Sequence, residues 1–219
     1  MRKNSSFFHL FLSLALLLGL TKPDPDPLQD YCIADNKNPQ SFYINGAPCI
    51  DPKLAVSSHF TTSVLSKPGN TKDNPFGFNV TLTNTVNLPG LNTLGLSMAR
   101  VDIASNGLVP PHLHPRASEV TICLQGLLLV GFVDTMNRVF TQQLKPGDSF
   151  VFPKSLVHFL YNYDSKAPAV ALSGLNSQNP GAQIVSSFTS KSPIPIEILI
   201  KGFEMNDLDV AEIRKNLGG

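Results

Sequence analysis

The chain has 219 residues, 42% of them hydrophobic and 15% charged, with a formal net charge of +1. At ~100–200 residues per domain, this length allows one large domain or two small ones. The near-neutral balance excludes electrostatic capture of nucleic acid, which needs a basic face, and the apolar content excludes global disorder.

Arg2 and Lys3 open the chain, and Phe7 to Leu20 follows with eleven of fourteen residues apolar. A basic start before a short apolar run reads as a secretory signal peptide, residues 1–21, cut near Thr21. The run is shorter than the ~20 residues of a membrane span, so the mature chain is expected to be exported, with no membrane partner. Loss of Arg2 and Lys3 leaves 15 basic residues against 16 acidic ones.

Residues 22–75 are rich in Pro, Asp and Asn and read as an N-terminal extension with short strands, packed over a body. In an oxidising compartment Cys32 and Cys49 read as a disulfide closing a short loop. The third cysteine, Cys123, lies in an apolar strand and reads as a buried, inert thiol. His59 reads as an ordinary loop histidine. Asn79-Val80-Thr81 is an acceptor sequence for glycosylation at Asn79.

From about Phe76 the pattern becomes that of β-structure, with a barrel core expected over residues 76–190. Phe78 to Thr83, Leu94 to Ile103, Glu119 to Val133, Arg138 to Leu144, Ser149 to Phe152, His158 to Tyr163 and Ala169 to Leu175 are the strand candidates. Most are bounded by Gly, Pro, Asn or Asp. Gly126 and Gly131 interrupt the longest run and mark a bulge, a bend or a hairpin turn. Many short strands at this spacing predict an all-β sandwich or barrel, a group that includes jelly rolls. Residues 191–219 differ. Pro195 to Phe203 reads as one short helix, and Asn206 caps a second running to about Asn216, with Asp209 at the third position. The pair is expected to serve packing or assembly.

The candidate chemistry lies in two segments, Pro110-Pro-His112-Leu-His114-Pro-Arg-Ala-Ser-Glu119 and Pro153-Lys-Ser-Leu-Val-His158. Side chains two apart on a strand share a face, so His112 and His114 can converge on one ion. Glu119 can return after a Pro-containing turn, and His158 can join from a distant strand. Prolines on both sides restrict the backbone near the ligands. Three imidazoles and one carboxylate fit a divalent first-row metal without choosing among Mn, Fe, Zn, Cu and Ni. Four protein ligands leave an octahedral ion two open positions, the mark of a reactive site.

These segments resemble the two sequence boxes of the plant germin-like proteins, within the cupin superfamily. His112, His114, Glu119 and Gly126 keep the spacing of the first box, with Asn106 at its opening glycine position and Gly107 next to it. Gly147, Pro153, His158 and Asn162 match the second, with Ser155 in place of its inner glycine. Asp24-Pro-Asp-Pro-Leu-Gln-Asp-Tyr-Cys32, Gly46-x-x-Cys49 and Asn176-Ser-Gln-Asn-Pro-Gly181 extend the match over essentially the whole mature chain.

The resemblance implies a single cupin jelly-roll β-barrel with C-terminal helices. It implies one Mn ion per subunit on His112, His114, Glu119 and His158, and the Cys32–Cys49 disulfide. It implies an extracellular glycoprotein of the plant apoplast or cell wall with a role in defence, assembled as a homohexamer, a trimer of dimers. True germins are oxalate oxidases that hold the oxalate carboxylates with two asparagines, and the matching positions here are Ala99 and Val109. Loss of both donors disfavours that activity. Superoxide dismutase activity, with small oxygen species at the metal, needs neither donor. A non-enzymatic storage or binding protein with a structural Mn ion is the alternative. A nucleotide-sugar phosphodiesterase would need a phosphate-cradling loop that the sequence lacks.

Overall fold

Alternating apolar and polar residues, many of them β-branched or aromatic, build a two-sheet β-fold closed around one core. The computed structural model describes residues 29–37, 46–187 and 194–216, and the signal-like segment 1–21 lies outside them. Its strands are β1 (Phe78–Leu82), β2 (Ser97–Ile103), β3 (Leu108–Leu113), β4 (Glu119–Gln125), β5 (Leu128–Val133), β6 (Val139–Leu144), β7 (Ser149–Phe152), β8 (Val157–Tyr161), β9 (Ala169–Leu175) and β10 (Gln183–Ile184). They form two antiparallel sheets, ordered β1-β2-β9-β4-β7 and β10-β3-β8-β5-β6.

The buried cluster draws on both sheets, with Val101, Ile103, Cys123, Phe152 and Ala171 from one and Val109, Leu128, Val130, Leu144 and Leu160 from the other. Burying a side chain of this size stabilises by about 1.5–3 kcal/mol relative to leaving it exposed. The fold is therefore the all-β jelly roll expected.

The run from Glu119 to Val133 is two strands, β4 in one sheet and β5 in the other, with a bend between them. Gly126 turns it with φ +80°, and a Cβ there would lie 2.8 Å from the Pro168 carbonyl. Gly131 stays within β5, opposite Thr141 and Phe159.

The extension departs from expectation. Among its described residues there is no strand, only an Ala34–Cys49 bridge and three short 3-10 turns at Pro52–Leu54, Ser57–Phe60 and Val64–Ser66. Pro and Asn favour turns over ladders, and apolar alternation is missing there. Cys32 and Cys49 are joined, with a Cα separation of 5.0 Å. Arg100 grips Asp102 in a 2.8 Å ion pair, and Asp102 also accepts the Gly69 N–H, which ties the extension to β2. Cys123 is fully buried, and burial pushes its thiol pKa up.

Among the described residues two full helices follow the barrel, α1 (Ile196–Phe203) and α2 (Asp207–Asn216). Asn206 Oδ1 accepts the Asp209 N–H at 3.0 Å while Asp209 Oδ2 accepts the Asn206 N–H at 3.2 Å. This reciprocal cap sits where the sequence placed it. Leu199 and Val210 are the buried anchors of the two helices.

Candidate metal centre

The site spans the gap between the sheets. His112 on β3 and His158 on β8 are cross-strand partners in one sheet. Glu119 starts β4 in the other, and His114 lies one residue beyond β3.

A regular strand would not give this arrangement. Val109 and His112 are three residues apart, so strict alternation would put them on opposite faces. Yet Val109 pairs with Leu160 and His112 with His158, so three steps on β3 face two on β8. One extra residue is accommodated as a bulge, and it falls at Pro110-Pro111. Neither proline has an N–H to lose from the ladder, so a bulge is where they fit. The bulge turns His112 inward alongside Val109.

The donor atoms of His112, His114, Glu119 and His158 all lie within 4.8 Å of one another. Each imidazole is held by a carbonyl. His112 Nδ1–H donates to the Pro110 carbonyl at 2.9 Å, His158 Nδ1–H to that of Leu156 at 2.9 Å, and His114 Nδ1–H to that of Gly181. A carbonyl can only accept, so each Nδ1 carries the proton and each neutral ring keeps a lone pair on Nε2. Phe152 stacks on the His158 ring at 4.4 Å and fixes its plane.

These lone pairs converge on a carboxylate. His114 Nε2 is 3.0 Å and His158 Nε2 3.5 Å from Glu119 Oε2. Acceptors this close require a cation among them, either a proton or a metal ion. His158 Nε2 is buried with no hydrogen-bond partner, a costly state that a metal would relieve. The donor set thus fits a divalent first-row ion.

The electrostatics agree. Burial pushes the His112 pKa down to about 4, and the neighbouring His158 ring adds to the effect, so this imidazole stays neutral. Burial also opposes charge on His114, but the Glu119 carboxylate and the Gly181 carbonyl overcome it and raise its pKa above the ordinary 6.5. For Glu119 burial favours the acid, yet the His114 hydrogen bond holds the group well below the usual carboxylate range.

Behind Glu119 stands a hydroxyl pair that the sequence reading did not single out. Thr121 Oγ1 donates to Glu119 Oε1 at 2.8 Å and lies 2.7 Å from Ser173 Oγ. Both hydroxyl residues are fully buried. Thr121 could have been found from its position two residues after Glu119, on the same face of a strand. Ser173 could not, because only the β4–β9 register places it there.

A cupin family model matches residues 63–210. Germin-like protein subfamily 1 member 1 of Arabidopsis thaliana is 59% identical over 96% of this chain and 99% of its own length. The chain belongs to the germin-like proteins. Germin-like protein 3-1 of Oryza sativa subsp. japonica is 52% identical over 96% of each chain. A solved oxalate oxidase superposes with a TM-score of 0.84 at 39% identity, covering 90% of this chain and 99% of that one. Peruvianin-I, described as a cysteine peptidase from Thevetia peruviana latex, superposes at 0.69 with 40% identity, over 74% of this chain and 98% of that one.

In this germin-like chain, the two box positions lacking glycine keep a left-handed backbone, with φ of +56° at Asn106 and +63° at Ser155. Asn tolerates that region better than most residues. Gly107 answers a different demand, since a Cβ there would lie 2.5 Å from the Gly77 carbonyl. Ser155 N–H donates to the His114 carbonyl at 3.1 Å, so the substituted loop still braces the ligand strand. Ala99 and Val109 are buried and line a cavity of about 790 Å³ that reaches His112, His114 and Glu119. Asn79 lies half-buried on edge strand β1, its side chain against Gly69. His59 stands in a 3-10 turn, where its Nδ1 accepts the Val56 N–H at 3.2 Å.

Proposed function

We propose that this germin-like protein is an exported apoplastic glycoprotein that holds one Mn ion on His112, His114, Glu119 and His158 and dismutates superoxide. The observation that carries the reading is the site itself: three imidazoles locked by carbonyls with Nε2 turned to one buried carboxylate, one of those nitrogens without a partner. A bound Mn ion would supply one-electron redox chemistry. The chain's own part is to keep three neutral donors and one negative charge in place, with Thr121 orienting Glu119. The negative charge of Glu119 favours the higher oxidation state.

Oxalate oxidase activity, known for the structural relative, is disfavoured. The cavity wall carries Ala99 and Val109 beside the ligands, and neither side chain can hydrogen-bond a carboxylate. Cysteine peptidase chemistry is disfavoured too, since Cys123 is fully buried and its thiol pKa is raised. The storage or binding reading draws on the same apolar wall, which offers no acid or base beyond the ligands.

Export is supported by the signal-like start and by the Cys32–Cys49 bridge, since disulfides persist in oxidising compartments. Glycosylation is assigned to Asn79. A hexameric assembly is supported by apolar surface left open on the barrel and helices. Met98, Val120 and Val151 are 43%, 53% and 54% exposed in one row across a sheet, and Ile198 and Phe203 are exposed on α1.

Elemental analysis combined with superoxide and oxalate assays on one purified sample tests the reading. Expected are one Mn per subunit, superoxide turnover and no oxalate turnover. Metal-replete protein no faster than an equal concentration of free Mn would sink the enzymatic reading and leave storage.

A further inference from the structure

The cavity above the metal ligands is far larger than superoxide or oxalate requires. At about 790 Å³ it lies within the ~300–1,000 Å³ range of sites that enclose small organic molecules. Its polar lining falls into two sets. The metal-site residues form the floor, with His112 and Glu119 buried, while the exposed Arg116 and Asn179 mark the rim, near which Asn84, Thr85 and Gln178 complete the polar lining. Arg116 is engaged there, donating from Nε to the Asn179 carbonyl at 2.6 Å. Between floor and rim the wall is apolar, with Leu82, Ala99, Val101, Val109, Leu160 and Leu175 from both sheets. No side chain on that stretch can donate or accept a hydrogen bond.

This distribution selects a ligand chemistry. The floor, once it holds a cation, offers positive charge with open positions, which favours an anionic oxygen. The wall rejects polar groups, because any it buried would lose its water without a replacement partner. A dicarboxylate would leave its second charge against Ala99 and Val109. A monocarboxylate with an apolar body satisfies both ends, its head at the floor and its body on the wall.

We infer that the cavity is a binding site for apolar monocarboxylates, a medium-chain fatty acid or a compact aryl acid, with Ala99 and Val109 as the specificity-determining residues. The inference rests on the proposed metal site, because without a cation the floor presents the Glu119 carboxylate and repels an acid. It goes beyond superoxide chemistry, which needs no such wall.

The test is calorimetric titration of the full-length mature protein, with metal content measured on the same sample. The probes are octanoate, acetate and 1-octanol. Expected is one octanoate per subunit, bound at least about 100-fold more tightly than acetate, because its six further methylene groups leave water. Octanoate should also exceed 1-octanol by at least 10-fold, and binding should fall at least 10-fold when the metal is stripped. The double variant Ala99→Asn, Val109→Asn should weaken octanoate at least 10-fold with its metal content and circular dichroism retained. Should that variant fail to fold, Val109→Thr, which keeps the shape and adds a hydroxyl, is expected to weaken octanoate alone. Equal affinity for acetate, or binding indifferent to the metal, in fully loaded protein overturns this inference and leaves the metal site standing. Failure to take up any metal overturns both.

Discussion

Glu119 is the residue on which the site turns, and its surroundings lead to two predictions. Thr121→Val keeps the shape and removes the hydroxyl that donates to Glu119 Oε1. Metal affinity is expected to fall about 10–100-fold, as for loss of other groups that orient a ligand. The metal-free fold should lose about 1–3 kcal/mol, because buried oxygens on Glu119 and Ser173 lose their partner. Thr121→Ser should restore both. Competition with a chelating dye and chemical denaturation measure the two effects, and unchanged affinity in the valine variant would refute the orienting role. The second prediction concerns pH. In the metal-free protein the His114 pKa lies above its ordinary 6.5 and that of Glu119 below its ordinary 4.5. A raised histidine contributes stability in full below 6.5, lost as pH rises through the raised value. A depressed carboxylate contributes in full above 4.5, lost as pH falls through the lowered value. The pair therefore stabilises the metal-free fold most between these ordinary values. Bound metal should replace the proton and carry stability to higher pH. Melting temperatures of stripped and loaded protein, compared across pH, should diverge above neutrality.

At the scale of elements, the bulge in β3 and the loop before β8 decide where the ligands point. Deleting Pro111 removes the extra residue opposite β8 and restores strict alternation. His112 then stands two residues beyond Val109, on the same inward face, so metal content is expected to persist along with the far-ultraviolet β-signal. Loss of metal would show that the bulge itself, beyond the inward face, is needed to aim the imidazoles. The loop before β8 carries a small cost, because Ser155 sits at φ +63°. A left-handed non-glycine residue costs about 1–2 kcal/mol. Ser155→Gly recovers part of that against a greater loss of chain entropy on folding, so a gain of up to about 1 kcal/mol is expected. For a domain near this size, 1 kcal/mol moves the melting temperature by about 2–4 °C, which scanning calorimetry resolves.

Over the whole molecule, the extension is closed on itself by one disulfide and tied to the barrel through the ion-paired Asp102, which accepts the Gly69 N–H. The bridge spans a sequence separation of 17, and closing a loop of that size stabilises by about 3 kcal/mol in the chain-entropy account. The double variant Cys32→Ser, Cys49→Ser should lose about that much by chemical denaturation. A loss below a few tenths of a kcal/mol would show that the extension is held by its other contacts, such as Asp102 to Gly69.

The sequence by itself determined the all-β class, the paired cysteines, the reciprocal cap at Asn206 and the four residues that meet in the candidate metal centre. These depend on short-range signals: alternation, cysteine placement, a capping pattern and histidine spacing. It also reached the polarity of the cavity wall, because Ala99 and Val109 could be placed by resemblance. The tertiary structure alone decided that His112 faces inward, since alternation from Val109 points the other way and only pairing with β8 reveals the extra residue. It alone brought Ser173 beside Thr121 across β4 and β9, and it replaced the strands expected in the extension with 3-10 turns. Each of these depends on strand register or on contacts between distant segments, and neither is written in a local pattern.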